Sequence, residues 1–208
     1  VAGVPARVFR ISFSGELAFE VNVDASYGRH VWEALMATGD EFGITPYGTD
    51  AMHVLRAEKG FIIVGQDTDG SQTPFDLDMA WAVSMKKPFS FIGKRSFARS
   101  DTAAPNRKQL VGLLTEDPTV VLAEGAQIIE QPDATPPVAM LGHVTSSYFS
   151  AELGRSIAMA VVRDGINRRG DAGRGGRDTL FAYAGGTTHK VKLVSPVFVD
   201  PKGERQNG

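Results

Sequence analysis

The stretch from Val8 to Val23, VFRISFSGELAFEVNV, alternates between apolar and polar side chains. From Phe9 onward the large apolar residues lie at odd positions, and polar residues fill most of the even ones. A period of two is typical of β-strands with one buried face. Ser14-Gly15-Glu16 interrupts the pattern with turn-forming residues. We therefore predict two strands around a bend, with an apolar face on one side and the carboxylates of Glu16 and Glu20 on the other.

The residues that follow this ribbon predict helices. Ser26 is placed to cap a helix whose apolar stripe ends near Gly39. A second helix is predicted from Thr49 to Gly60. The run Phe61-Ile62-Ile63-Val64 is short and apolar, which predicts a buried strand.

Beyond a polar linker at residues 100–108 the pattern changes to short apolar runs separated by Gly, Pro or Asp. Repeated short strands without a convincing helix are typical of a small barrel or sandwich. The predicted fold class is therefore α+β, with an all-β segment following a mixed segment. The predicted runs are 110–114, 120–122, 127–129, 140–145, 157–162, 179–183 and 191–194.

Composition excludes several classes of function. Lys plus Arg number 22 and Asp plus Glu number 24, so the net charge gives no reason to expect nucleic-acid or anionic-membrane binding. The chain has no Cys, which excludes disulfides, thiolate metal sites and Cys nucleophiles. No apolar run approaches the roughly 20 residues of a transmembrane helix, and no leader peptide is visible. These features are consistent with a cytoplasmic location.

Glu16 and Glu20 are the first candidates for chemistry. Four residues apart, they share a face if the strand is uninterrupted. A carboxylate on a rigid strand can accept two roughly parallel hydrogen bonds from a guanidine-like or pterin edge. Two solvated surface charges are the alternative, and exposed Glu is common.

Metal binding has weaker support. Asp67-Thr68-Asp69-Gly70 is distantly similar to a calcium loop, but it lacks the distal Glu, so a polar turn is predicted instead. The four histidines, His30, His53, His143 and His189, include no pair spaced three or four apart. No metal site is predicted.

The segment from Arg10 to Glu20 resembles the aromatic-x-Gly-Glu-x-x-aromatic-Glu signature of the folate-binding aminomethyltransferase family, which includes the glycine-cleavage T-protein. Further family motifs follow in the same order along nearly the whole chain. The resemblance implies a truncated folate-binding aminomethyltransferase-like domain over residues 1–99 and a small C-terminal β-barrel domain over residues 107–202. The further motifs are Leu55–Gly60, Thr73-Pro74, Trp81–Val83, Phe91–Lys94, Gly142–Ser147 and Ile157–Ala160.

One branch of the family fits best, because Gly48–Gly70 resembles the α subunits of heterotetrameric sarcosine oxidases. These enzymes oxidise sarcosine at a flavin and pass the one-carbon unit to tetrahydrofolate, yielding glycine, hydrogen peroxide and methylene-tetrahydrofolate. The resemblance implies a C-terminal fragment of an oxidoreductase acting on CH–NH donors, inactive in isolation. It also implies FAD, FMN and NAD elsewhere in the complex, and as partners the other subunits and folate, without nucleic acid or membrane.

Site residues follow from the resemblance one at a time. Glu20 matches the Glu that grips the pterin ring, and Phe13 matches an aromatic residue, usually Tyr, that lines the pterin pocket. Met52 stands where the T-protein has an Arg, which favours the oxidase branch. The family's catalytic Asp belongs to a first half that this chain lacks, so no catalytic residue is assigned. Two alternatives stay open: a subunit-interaction scaffold without folate chemistry, and a T-protein or dimethylglycine-type aminomethyltransferase.

Overall fold

The computed structural model describes residues 1–133, 137–169 and 179–207. The chain forms two compact units, each described by itself. The first unit comprises Val1–Arg56 with Asp200–Gly208, and the barrel unit comprises Ala57–Val199. The predicted boundaries at residues 99 and 107 concern family domains rather than contacts, and they stay a prediction.

The first unit contains the predicted ribbon in shortened form. Strands β1 (Arg7–Phe9) and β2 (Glu20–Asn22) pair antiparallel, with Phe9 opposite Glu20. The residues between them form turns, and Gly15 adopts a φ of 86°, a conformation that strongly favours glycine. The alternating sequence pattern is therefore longer than the paired strands, because the residues in its centre form the bend and make no strand pairing.

Helices make up most of the remaining first unit. A 3₁₀ turn (Ala25–Tyr27) leads into α1 (Gly28–Gly39), a second 3₁₀ turn follows at Asp40–Phe42, and α2 (Thr49–Glu58) continues into the barrel unit. Asp24, rather than the predicted Ser26, caps the first turn, since its carboxylate accepts a hydrogen bond from the Ser26 backbone N–H at 3.0 Å. A last 3₁₀ turn spans Glu204–Gln206.

The barrel unit begins without the strand predicted at residues 61–64. That run is irregular, and Val64 forms only an isolated bridge with Thr68. Short 3₁₀ turns follow at Ala80–Ala82 and Lys94–Ala98. The side chains at 61–63 are half-buried, and Ile62 packs against the apolar cluster on the outside of the barrel, which explains an apolar run without strand pairing.

Six antiparallel strands then close into a barrel in the order β3-β6-β5-β4-β7-β8, which confirms the barrel alternative. A five-residue helix, α3 (Gly165–Arg169), follows β6. The predicted run at 120–122 is not a strand in the structure. The strands are β3 (Lys108–Thr115), β4 (Gln127–Ile129), β5 (Gly142–Ser150), β6 (Arg155–Arg163), β7 (Thr179–Ala184) and β8 (Thr187–Val194).

Strand β6 is buried on both faces. Ala158, Ala160 and Val162 belong to the core inside the barrel. Met159 and Val161, between them, belong to a second apolar cluster on the outside, which includes Ala57, Ile62 and Leu77. This double burial explains why β6 is a continuous apolar run rather than an alternating one.

Gly142, at the start of β5, is required by close packing. A Cβ at this position would collide with the backbone carbonyl of Val161 on the neighbouring strand. Only glycine therefore allows β5 and β6 to approach this closely. Among the described residues, the model contains no helix with the length and apolarity needed to cross a bilayer.

Candidate functional site

Glu20 lies on strand β2 with its side chain exposed. Within the described residues, its carboxylate has no hydrogen-bond or ion-pair partner, so both oxygens are available to donors from outside. Phe13 is half-buried in the turn region between the two strands. Neither residue lines the two cavities of the first unit that are described next.

Glu16 is not on the same strand face as Glu20, because it lies in the turn. Its carboxylate pairs with the Arg205 guanidinium at 3.2 Å. The Leu17 backbone N–H also donates to the Arg205 carbonyl, at 3.1 Å. The two carboxylates thus differ, because Glu16 is ion-paired within the first unit, whereas Glu20 has no partner among the described residues. A small polar cavity of about 260 Å³ adjoins Glu16, lined by Arg10, Ser12, Glu16, Leu17, Ala18, Gln206 and Asn207.

An open apolar cavity of about 530 Å³ lies elsewhere in the first unit. Met52, the residue that replaces the T-protein Arg, is part of its wall, and no charged side chain lines it. A guanidinium is therefore absent from this wall, and the surface favours apolar contact. The remaining lining residues are Phe19, Trp32, Leu35, Met36, Ile44, Thr45, Pro46, Tyr47, Gly48 and Thr49.

The barrel unit contains a buried carboxylate, Asp67, that the sequence placed in a polar turn. Thr145 and Ser146 donate their hydroxyls to its Oδ1 at 2.6 and 2.7 Å. The backbone N–H of Ile63 donates to Oδ2 at 2.8 Å. Asp67 is thus held by the loop on one side and by strand β5 on the other.

A β-bulge explains how two consecutive residues of β5 reach one carboxylate. The pairing of β5 with β6 shifts register between Val144 and Ser146. Side chains on a regular strand alternate between faces, whereas a bulge re-aims them. Gln66 reinforces the same junction, because its side-chain amide donates to the Ser146 hydroxyl at 3.1 Å.

The predicted polar turn is confirmed for the neighbouring Asp69. The Ser71 hydroxyl and backbone N–H donate to its carboxylate at 2.6 and 2.9 Å, and these hydrogen bonds lower the pKa of Asp69. The chain's own donors therefore occupy oxygens of both Asp67 and Asp69. Among residues 1–133, 137–169 and 179–207, no group of three or more His, Asp or Glu side chains is arranged to hold a metal ion.

Asp76, which is buried, forms an ion pair with the half-buried Arg107 in the barrel unit. Arg107 donates from Nε and Nη2 to the carboxylate at 2.8–3.0 Å. Thr73 donates to Asp76 Oδ2 through both its backbone N–H and its hydroxyl. Hydrogen bonding to Asp76 raises the pKa of Arg107. The predicted linker at 100–108 is consequently anchored at its end, by Arg107.

Glu58 joins the end of α2 to the barrel. Ser150 donates its hydroxyl to Glu58 Oε1 at 2.6 Å, and the Glu58 carbonyl accepts the backbone N–H groups of Phe198 and Val199. These contacts assign Glu58 a structural role within the barrel unit.

His143, on strand β5, has a half-buried imidazole. Burial, and to a smaller extent the positive charge of Lys108, lower its pKa below the ordinary value of 6.5, whereas Asp69 acts in the opposite direction. The folded protein therefore favours the neutral ring at this position.

Gly142–Ser147 and Thr73-Pro74 are family motifs whose side-chain partners are not evident in the sequence. In the structure, Thr145 of the first motif donates to Asp67, which is far away along the chain, whereas Thr73 of the second donates to Asp76, three residues later. A buried hydroxyl needs a hydrogen-bond partner, so Ser and Thr within an apolar strand indicate that a partner exists. The sequence pattern does not show which residue accepts the hydrogen bond.

Two family models match this chain, one over its first part and one over the barrel. Residues 1–87 match the model of the GCVT N-terminal domain, and residues 108–200 match that of the glycine cleavage T-protein C-terminal barrel domain. The chain is 47% identical over 212 aligned residues to "Sarcosine oxidase subunit alpha" of Corynebacterium sp. (strain U-96), covering 100% of this chain and 21% of that relative. An aminomethyltransferase of Streptomyces avermitilis is 35% identical, over 84% of this chain and 46% of its own length.

A solved structure is also similar. The glycine cleavage system aminomethyltransferase T from Bartonella henselae superimposes with a TM-score of 0.74 at 25% identity, over 92% of this chain and 49% of that one. The chain thus spans about a fifth of the oxidase subunit and about half of these aminomethyltransferases. The order of a GCVT domain and a closed six-stranded barrel confirms the predicted fold class. The chain belongs to the glycine cleavage T-protein family, and within it resembles the sarcosine oxidase α subunits over its full length.

Proposed function

We propose that this chain is part of the folate-binding region of a sarcosine oxidase α subunit. In that reaction sarcosine is oxidatively demethylated, its one-carbon unit passes to tetrahydrofolate, and glycine, hydrogen peroxide and methylene-tetrahydrofolate are formed. The observation that carries the proposal is the 47% identity to a sarcosine oxidase α subunit across the whole chain. The location proposed for the enzyme is the cytoplasm.

Glu20 is the proposed anchor for the pterin ring. Its side chain is exposed and has no partner among the described residues, so its two oxygens can accept the adjacent amide N–H and amino group of the ring. Phe13 is proposed to pack against the same heterocycle. The position of Phe13 lacks a hydroxyl, so it supplies apolar contact and no hydrogen bond.

The rest of the site is proposed to come from outside this chain. Neither of the two cavities described above is lined by Glu20 or Phe13, and the relatives are two to five times longer than the matched region. We accordingly propose that catalytic groups, FAD, FMN and NAD are held elsewhere in the complex. Tetrahydrofolate and the other oxidase subunits are the proposed partners, and the isolated chain is proposed to be inactive.

Calorimetric titration of the full polypeptide, in its complex, with folinic acid tests this function. Replacing Glu20 by Gln keeps the shape but loses one acceptor and the charge, so we expect affinity to fall by 10-fold or more, about 1.4 kcal/mol per factor of ten. Glu33→Gln, an exposed carboxylate on α1, is the matched control and is expected to leave affinity unchanged. Equal binding by the wild type and Glu20→Gln would remove Glu20 from the site, and no binding by the wild type would remove the folate function.

A scaffold without folate chemistry is the second candidate, favoured by the absence of Glu20 from both described cavities. It predicts normal assembly with the other subunits and no heat on folinic acid addition. A T-protein or dimethylglycine-type aminomethyltransferase is the third, supported by the 35% identity to an aminomethyltransferase. Sarcosine-dependent hydrogen peroxide production by the complex separates the oxidase from a T-protein, which would produce none. Comparing turnover of sarcosine with that of dimethylglycine tests the dimethylglycine-type enzyme, for which dimethylglycine would be the better substrate.

A further inference from the structure

Asp76 and Arg107 stand at the two ends of a long segment of the barrel unit. We call the residues between them, 77–106, the strap. All of them belong to the described part of the chain, and none lies in a β-strand. The regular structure of the strap consists of the 3₁₀ turns Ala80–Ala82 and Lys94–Ala98. The strap therefore has to be kept in place by contacts other than strand pairing.

One guanidinium fastens both ends of the strap. At the start, Arg107 donates to the Asp76 carboxylate, and its Nη2 donates to the Ser71 carbonyl at 2.6 Å. Toward the end, its Nη1 donates to the Asp101 carbonyl at 2.7 Å. The Asp76 carbonyl also accepts the Leu110 backbone N–H, just beyond the strap, at 2.7 Å. These contacts tie the two ends to each other, and we call them together the clasp.

The charged groups of the clasp are shielded from water. The Asp76 side chain is 3% exposed, and that of Arg107 is 19% exposed. Thr73 adds two donors to the same carboxylate, its backbone N–H and its hydroxyl. Charge-assisted hydrogen bonds are stronger than neutral ones, and removal of one buried partner leaves the other charge uncompensated. Loss of the Arg107 guanidinium should therefore open the clasp.

Between its ends the strap makes few connections to the rest of the barrel unit. All of its backbone hydrogen bonds are local, and none reaches a barrel strand. Leu77 packs against the apolar cluster outside the barrel. Asp78 pairs with Arg169 at 2.8 Å, and the Phe97 ring packs edge-on against Phe75, with centroids 5.0 Å apart. These side-chain contacts add to the clasp without joining the strap to the sheet.

We propose that the strap is a conformational device, which opens and closes as one unit beside an intact barrel, and that the clasp between Asp76 and Arg107 keeps it closed. Parts of a folded protein that have few fastenings open at a lower free energy than the core around them. Release of one guanidinium frees both ends of the strap at once, whereas the closed barrel keeps its own strand pairing. The proposal goes beyond the proposed function and does not depend on folate binding.

Peptide-resolved hydrogen exchange of the full polypeptide, in its complex, tests this proposal. Arg107→Gln loses the charge and the planar fork of donors, so we expect exchange in the strap to become at least tenfold faster. Exchange in β5 and β6 should change less than twofold. Arg99→Gln is the matched control, because it removes an exposed ion pair with Asp101 from the same strap and should leave exchange unchanged.

Two milder variants test the fastenings separately. Arg107→Lys keeps the charge without the fork, and we expect an acceleration smaller than that of Arg107→Gln. Asp78→Asn removes the pairing with Arg169 and keeps a residue type that tolerates the positive φ of 60° at this position. Because the Asp78 side chain is 41% exposed, we expect a two- to fivefold acceleration confined to the strap.

A double-variant comparison tests whether Asp76 and Arg107 act through one clasp. Asp76→Asn combined with Arg107→Gln should accelerate exchange by much less than the product of the two single effects. A product of the two effects would overturn the proposal, as would a strap that is unprotected in the wild type or unchanged in Arg107→Gln. Equal acceleration in β5 and β6, or loss of folding in Arg107→Gln, would also overturn it, because the clasp would then hold the barrel.

Discussion

Fourteen buried apolar residues pack against one another in the barrel, whereas Val31 is the single buried apolar residue in the described part of the first unit. The barrel's strands are closed on themselves, so it has no unpaired sheet edge, and β6 is covered on both faces. The first unit has two strands of three residues and exposes Phe19, Trp32 and Tyr47. Stability in this chain is therefore concentrated in the barrel unit, and the first unit offers surface rather than core.

The largest expected difference is between the stability costs of truncating one Leu in each unit. Leu113→Ala, inside the barrel, should lower the free energy of unfolding by about 2–5 kcal/mol, because burial is lost and a cavity remains. Leu35→Ala, on α1 and 41% exposed, should cost about 1 kcal/mol or less. Urea unfolding of the full polypeptide measures both, and equal costs would contradict the contrast between the units.

Two hydroxyl–carboxylate hydrogen bonds of equal length, one buried in the barrel unit and one exposed in the first unit, test the same difference between the units. Thr145 donates to the buried Asp67 at 2.6 Å, and Ser26 donates to the exposed Asp24 at 2.6 Å. Thr145→Val should cost about 1–3 kcal/mol, because it leaves a buried carboxylate with one donor fewer.

Ser26→Ala is the control, expected to change stability by less than about 0.5 kcal/mol, because water replaces the lost donor. The two variants are compared by urea unfolding at neutral pH. A cost for Ser26→Ala as large as that for Thr145→Val would mean that burial does not decide the strength of these contacts.

The smallest expected effect is a pH dependence that arises from His143. Its pKa is lowered in the folded state, so the unfolded chain binds a proton more readily. The stabilisation is therefore present above the ordinary pKa of 6.5 and is lost as the pH falls from there toward the lowered value. His143→Gln should flatten the stability profile between about pH 7 and 5, measured by urea unfolding across that range.

Lys108→Gln tests how much the neighbouring positive charge contributes to the lowered pKa of His143. Removing the cation takes away the second cause of the lowered pKa, so the imidazole should titrate closer to its ordinary value in an NMR titration. An unchanged His143 titration would assign the shift to burial alone.

Whether a prediction was correct depends on how far apart along the chain the interacting residues lie. The antiparallel ribbon, α1, α2 and all six barrel strands were predicted, because pleat and helix periods are local properties. The additional strand predicted at 120–122 was wrong. The strand predicted at 61–64 was wrong, because an apolar run that covers a barrel is indistinguishable in sequence from one paired within a sheet. The site prediction of Glu20 and Phe13 came from a motif, and it stays a prediction.

By itself, the sequence determined the order of elements, the division into a mixed segment and a barrel-forming segment, and the family, since each is recorded in local patterns and ordered motifs. Only the tertiary structure decided that Asp67 is held by Thr145 and Ser146, that Asp76 pairs with Arg107, and that Glu16 and Glu20 have separate environments. The physical reason is that a buried polar group must find a partner, but its partner can come from any point along the chain that folding brings within about 3 Å.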